Sequence, residues 1–174
     1  MQRGFLHQRS MLANIIEVQH DSQRTALNSK SGAILLLDFR AAFPSVSQEF
    51  MQKVLKYLGI PKGTCTRIAN LYRKHSCQLS MKGERFEGLE VGAGIKQGCP
   101  LSPLLFALTI DIVLRRISRL LPNACVRAFA DDIAIVVDDL AQALPILENI
   151  FRDLESISNM ELNTAKCVAI PLWL

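Results

Sequence analysis

Apolar residues along the chain fall into two rhythms, one suited to helices and one to short buried strands. Met11, Leu12, Ile15 and Ile16 recur at helical spacing within Met11–Val18, and Ser10 stands where an N-cap belongs. Ser31-Gly32 interrupts the chain before Ala33–Leu37, an unbroken apolar run of strand length. Ser47–Leu58 predicts a helix capped by Ser47, with Phe50, Met51, Val54, Leu55 and Leu58 on one face and Gly59-Ile60-Pro61 stopping it. Lys62–Lys74 predicts a second helix whose outer side carries Lys62, Arg67, Arg73 and Lys74. Cys77–Met81 and Arg85–Val91 flank a Lys82-Gly83 turn and predict a hairpin. Pro100–Leu121 predicts a long apolar helix ended by Pro122-Asn123. Cys125–Phe129 and Ile133–Val137 predict two strands. Ala141–Ile157 predicts a helix in which Pro145 is tolerable only near the first turn. Val168–Leu172 predicts a last strand. Strands and helices do not alternate regularly, which predicts an α+β fold, a sheet with helices packed on one face.

Composition narrows this picture only a little. The chain has 174 residues, 49% hydrophobic and 21% charged, enough for one domain with a real core. Its formal net charge of +4 permits a nucleic-acid partner without demanding one. Cys65, Cys77, Cys99, Cys125 and Cys167 are scattered, odd in number and never paired as C-x-x-C. That argues against a zinc site or a disulfide framework and suits a reducing, intracellular compartment. No apolar run follows Met1 as a signal peptide requires, and Leu104–Leu114, broken by Asp111, is too short to span a bilayer. No membrane partner is expected.

Charge is concentrated oddly in "AFADDIAIVVDDL", where two Asp pairs lie seven positions apart in an apolar run. Asp131-Asp132 falls where two strands meet, at a hairpin tip. Asp138-Asp139 precedes a helix, where Asp caps and complements the helix dipole. A third acid, Asp38, ends the strand in "AILLLDFRAAF". Converging strand-end carboxylates hold hard divalent cations, and two such ions stabilise an in-line phosphoryl displacement. On spacing alone, Asp38, Asp131 and Asp132 are equally well solvated strand ends. His7, His20 and His75 share no spacing and read as surface residues, and Asp111 as a helix side chain with a local polar contact or solvent.

The words around these acids carry more. "LLLDFRAAFPSVS", "GIKQGCPLSPLLFAL" and "AFADD" resemble, in order and spacing, the first three core motifs of the reverse transcriptase palm. "MELNTAKC" resembles the lysine-bearing motif after them, and "QRGFLHQRSMLANIIEV" the end of the fingers in retroelement enzymes without long terminal repeats. The resemblance implies a polymerase palm, an antiparallel sheet with helices on one face, over about 31–174 with a fingers-side insertion. About 1–30 would be the end of the fingers, with the thumb and N-terminal fingers absent. It implies RNA-templated DNA synthesis with an RNA template, a DNA or RNA primer, deoxynucleoside triphosphates (dNTPs) and two Mg2+ ions, with Mn2+ as a substitute.

Carried over residue by residue, Asp38 and Asp131 become the principal metal ligands with Asp132 beside them. Phe39 and Arg40 would present backbone N–H groups to the triphosphate. Phe43 would pack under the sugar and exclude a 2′-hydroxyl by clash; read without the motif, it is a core aromatic. Gln97 and Gly98 would touch template and incoming nucleotide, and Ser102 and Pro103 would start the helix behind them. Lys166 would help neutralise or protonate the pyrophosphate leaving group, and Arg9 would lie along template or triphosphate.

Two departures stand out. Pro44-Ser45 occupies the place where many family members have an acid after the aromatic. The resemblance also leaves out the upstream basic residues and the thumb, so weak or absent synthesis by the isolated segment is expected, with a full-length protein adding fingers, thumb and an endonuclease domain. Two rival readings remain at this stage: a non-catalytic retroelement remnant or RNA-binding palm, and an RNA-templated RNA polymerase, against which Phe43 and "GIKQGCPLSP" argue. Nuclear action is implied by the resemblance alone.

Overall fold

The computed structural model describes residues 1–73 and 76–173. Lys74, expected at a helix end, and His75, expected at the surface, lie outside the described residues. Six strands and six helices are described in the order α1 (Met11–Asn28), β1 (Ala33–Leu37), α2 (Ala42–Ser45), α3 (Gln48–Tyr57), α4 (Lys62–Tyr72), β2 (Ser76–Met81), β3 (Glu84–Glu90), α5 (Ser102–Leu120), β4 (Cys125–Phe129), β5 (Asp132–Val137), α6 (Leu140–Ser158) and β6 (Val168–Pro171). β4, β5, β1 and β6 form an antiparallel sheet in that order, and β2 pairs with β3 in a separate hairpin.

Alternation along the strands sorts the sheet into two faces. Ala33, Leu35, Val126, Ala128, Ile133, Ile135 and Val137 point to one face and are buried there. Against them lie Phe106, Ile110, Leu114 and Ile117 of α5, Leu147, Ile150 and Leu154 of α6, and Met51 and Leu55 of α3. This is the expected layer of helices on one face. The helix caps also follow the sequence: Ser10 accepts from the Leu12 N–H, Ser47 from the Phe50 N–H, and Asp139 from the Gln142 N–H.

The other face is partly covered by α1, an arrangement the sequence pattern does not announce. Its apolar residues Met11, Leu12, Ile15 and Ile16 are exposed, while Asn14, Ser22 and Thr25 are buried. Ser22 is satisfied within its own helix, its hydroxyl donating to the Val18 carbonyl, whereas Asn14 and Thr25 are buried because each finds a partner on the sheet side. Asn14 Nδ2 donates to the Ala128 carbonyl at 2.9 Å, and the Thr25 hydroxyl to Asp138 at 2.9 Å. Asp138 is therefore the anchor of α1, and Asp139 alone is the cap of α6. Glu17 takes Arg3 at 2.5 Å and Arg127 on its other oxygen.

Arg3 and Arg127 hold the Glu17 carboxyl below the usual glutamate range, against the opposing effect of partial burial. A depressed carboxyl pKa contributes stability that is complete above the unfolded value and lost as pH falls through the folded one. Glu17→Gln is therefore expected to lower Tm by roughly 2 °C at pH 7, a modest figure because the pair is partly solvated. Thermal melts of the two chains should converge below the folded-state pKa of Glu17; a deficit that persists there would refute an ionic role.

Elsewhere the boundaries shift. α1 runs to Asn28 rather than Val18, and α5 begins at Ser102 rather than Pro100. Pro145 lies inside α6, in its second turn, where it forgoes one helical hydrogen bond. Ala42–Ser45 forms the short α2, with Pro44 within it and Ala41 in the left-handed region at φ 49° before it. The five cysteines are free, and Asp111 bonds Arg115 one turn on, at 2.5 Å. No helix among the described residues is long and apolar enough to cross a membrane.

Candidate active site

The strand register brings the three acids to one end of the sheet. β1 and β5 pair with Leu37 opposite Ile133, so one step further along puts Asp38 level with Asp132. β4 and β5 pair as far as Phe129 opposite Asp132, leaving Ala130 and Asp131 as a two-residue hairpin loop. Asp38 and Asp132 both face the side of the sheet that α1 crosses. They line the end of a groove of about 800 Å³ whose walls are mostly apolar, among them Met11, Ile15, Val18, Leu36 and Phe129.

Lys166 reaches the same place. The Asn163 N–H donates to the Asp38 carbonyl, and a turn from Asn163 to Cys167 follows. That turn sets Lys166 Nζ 3.8 Å from Asp38 Oδ2. Partial burial, then the negative charges of Asp131 and Asp38, push the Asp132 carboxyl above the usual range. The three carboxylates thus repel one another with one ammonium nearby. Among the described residues, no three Asp, Glu, His or Cys side chains converge tightly enough to make a finished metal cage.

The aromatic positions divide. Phe39 is buried and packs edge-on against Phe151 of α6, with centroids 6.0 Å apart. Its neighbour differs from expectation: the Arg40 N–H donates to the Glu161 carbonyl at 2.9 Å and so is not free for a triphosphate. The Arg40 guanidinium is exposed, 3.4 Å from Glu161. Phe43 is half-buried and stacks on Phe106, centroids 4.2 Å apart and planes 16° from parallel. Phe5 meets it edge-on at 6.1 Å. One side of the ring packs, as the core reading expects, while the residue also lines a second pocket.

That second pocket is lined by Phe43, Gln97, Gly98, Cys99, Pro100, Ser102 and Pro103. The loop supplying it is pinned beside Phe43, as the Ile95 N–H donates to the Phe43 carbonyl at 2.8 Å. Gly94 is required at that approach, because a Cβ there would lie 2.7 Å from the Pro44 oxygen and φ is 90°. The Ser102 hydroxyl closes the loop on the Lys96 carbonyl. Arg9 is exposed, two residues before the groove-lining Met11, and no contact ties it to the acids.

Asp38, Asp132 and Lys166 are thus brought together, Asp131 lies in the adjoining loop, and Phe43, Gln97 and Gly98 share a neighbouring pocket. The sequence reading missed Gln2 and Phe5, which reach the hairpin loop and Phe43. Only the "QRGF" word carried a signal for them, and it had no spacing to interpret.

Comparison with known proteins fits this geometry. The family model described as "Reverse transcriptase (RNA-dependent DNA polymerase)" matches residues 1–171. A retrovirus-related Pol polyprotein from the type-2 retrotransposable element R2DM of Drosophila melanogaster is 31% identical over 97% of the chain. One from a type-1 element R2 of Popillia japonica is 29% identical over 91%. The chain spans 16% and 27% of the length of these two relatives. In fold, it is similar to a truncated apo telomerase from Candida tropicalis, with a TM-score of 0.72 at 12% identity, over 92% of this chain and 35% of that one. A Candida albicans telomerase solved with a fragment of telomeric RNA gives 0.63 at 14% identity, over 92% and 30%.

Proposed function

The chain belongs to the reverse transcriptase family, of the non-LTR retrotransposon type, and from that premise we propose that it is the catalytic centre of RNA-templated DNA synthesis. One observation carries the reading: Asp38 and Asp132 stand level on hydrogen-bonded strands, with Asp131 in the adjoining loop and Lys166 beside Asp38. Residues 1–30 read as the end of the fingers and 31–174 as the palm, acting on an RNA template, a primer and dNTPs.

Asp38, Asp131 and Asp132 are the residues that would hold two Mg2+ ions, or Mn2+. The donor set fits, since all three offer hard carboxylate oxygens and together they carry more negative charge than Lys166 balances. Such ions, when bound, lower the cost of charge on the attacking and leaving oxygens. The residues themselves supply position. β1 and the β4–β5 hairpin are rooted in the core, so the strand-end carboxylates are held from below on elements that do not need to move.

Lys166 is tethered by the Asn163 turn, and its ammonium would carry the proton or the charge that the departing pyrophosphate needs. Phe43 would lie under the sugar and Gln97 and Gly98 beside the base pair. Arg40 would act through its exposed guanidinium rather than its N–H, and Arg9 along the template. The segment alone would have little hold on a duplex, because phosphate neutralisation supplies much of nucleic-acid affinity and its formal net charge is only +4.

The test is primer extension on an RNA template with Mg2+, comparing dNTPs with ribonucleotides. A polymerase that carries this segment between fingers and thumb should extend with dNTPs. The isolated chain should give no more than a trace. Preference for ribonucleotides would overturn the DNA-polymerase reading, and robust Asp131-dependent synthesis by the isolated chain would overturn the expected weakness.

A further inference from the structure

Residues 1–4 do more than lead into α1. They run alongside β4, where the Arg3 N–H donates to the Ala128 carbonyl at 2.9 Å and the Ala128 N–H to the Met1 carbonyl at 3.1 Å. Between these bonds the Gln2 side chain is buried, 9% exposed, and closes on both backbone groups of Ala130. Its Nε2 donates to the Ala130 carbonyl at 2.9 Å, and its Oε1 accepts from the Ala130 N–H at 3.0 Å. The same oxygen accepts the Gly4 N–H at 2.7 Å. Gly4 passes so close that a Cβ there would lie 2.2 Å from the Ala130 nitrogen.

Ala130 is the residue immediately before Asp131-Asp132, and its φ is 57°. A non-glycine residue in the left-handed region costs about 1–2 kcal/mol and persists only where its surroundings hold it. A hairpin loop usually takes glycine or asparagine at such a position. Here alanine is held instead by an amide, the side-chain group that offers a donor and an acceptor side by side and so satisfies both backbone groups of one residue at once. Arg3, bonded to Glu17, ties the same segment to α1.

We infer that Gln2 is a positioning residue for the acid pair: by clamping Ala130 in its left-handed conformation it sets the direction in which Asp131 and Asp132 leave the hairpin. The inference rests on the proposed role of those acids as metal ligands. Gln2 acts through the backbone of Ala130 rather than as a ligand itself.

The test uses the chain itself, with free Mn2+ followed by electron paramagnetic resonance and amide exchange at Ala130 by NMR. Gln2→Met keeps the buried volume and removes both bonds to Ala130. It should weaken Mn2+ binding about tenfold, the low end for residues that orient metal ligands, and speed Ala130 exchange about tenfold. Thr25→Val serves as the stability control, because it frees α1 from Asp138 at the far end of β5. It should lower Tm with Mn2+ affinity unchanged.

If Gln2→Met does not fold, Gln2→Asn, which keeps the amide but falls one methylene short, is read in the same way. Unchanged Mn2+ affinity in the Gln2 variant, or an equal loss in Thr25→Val, overturns the inference. Asp131→Asn is run alongside to keep the two readings apart. If that variant binds Mn2+ as the parent does, the metal-ligand reading itself fails; if it loses binding while the Gln2 variant retains it, only the clamp fails.

Discussion

Asp131→Asn is expected to lower RNA-templated primer extension about a thousandfold or more while leaving the fold intact. The substitution changes almost no volume, and Asn is as much at home in a two-residue hairpin loop as Asp. Beneath the loop, Val126, Ala128, Ile133 and Ile135 are buried and do not depend on the charge above them. Removing that charge also relieves its repulsion of Asp132, so Tm should hold or rise slightly. What is lost is part of the negative charge that would hold cations against the reacting phosphate. Under the proposed role, stabilisation of several kcal/mol would depend on that charge, and each 1.36 kcal/mol is a factor of ten in rate. Asp38→Asn should cost a similar factor, and the double variant little more, because groups that act as one unit are not additive.

The contrast is the second pair in the same run. Asp139→Ala removes the cap of α6, costing about 1 kcal/mol of stability, with the extension rate of the folded enzyme preserved. Single-turnover extension and a thermal melt on each variant, in a polymerase carrying this segment with fingers and thumb around it, decide the matter. An Asp131→Asn enzyme that keeps a tenth of its rate would remove Asp131 from the chemistry.

That contrast shows what a linear sequence can carry. The strands and core helices were legible because apolar residues recur with periods of two and of about three and a half, and caps such as Ser10, Ser47 and Asp139 are local signals. The acid site was legible as words: "AFADD" and "LLLDF" each put an acid at a strand end, and the register does the rest. What was not legible depends on partners distant in sequence. The buried side of α1 is polar because Asn14 and Thr25 find Ala128 and Asp138 more than a hundred residues away. No periodicity encodes that, so the exposed stripe Met11, Leu12, Ile15 and Ile16 looks like the buried one. The Arg40 N–H was expected at a triphosphate and is instead bonded to Glu161, a pairing set by the return of the chain before β6. Gln2 is hidden for the same reason, since its partner is Ala130.

Phe43→Ala is expected to relax sugar discrimination about a hundredfold, read as the ratio of kcat/KM for dNTPs to that for ribonucleotides. Exclusion by clash works only if the excluding ring cannot step aside, and Phe43 is fixed from three directions. One face stacks on Phe106, which is fully buried. Phe5 meets it edge-on, and its backbone sits in α2, where Pro44 limits the chain that follows. A ring so held would turn away an added hydroxyl, and an apolar site that discriminates by a single such group reaches about a hundredfold. The dNTP rate itself should fall less than tenfold, since the acids and Lys166 are untouched. Phe5→Ala should loosen the ratio less, about tenfold, because the ring keeps its stack on Phe106 but gains room to turn. If Phe43→Ala lowers Tm yet leaves the ratio where it was, the ring is a core aromatic that merely borders the pocket, and discrimination must lie with Gln97 and the loop that Gly94 allows to pass beside it.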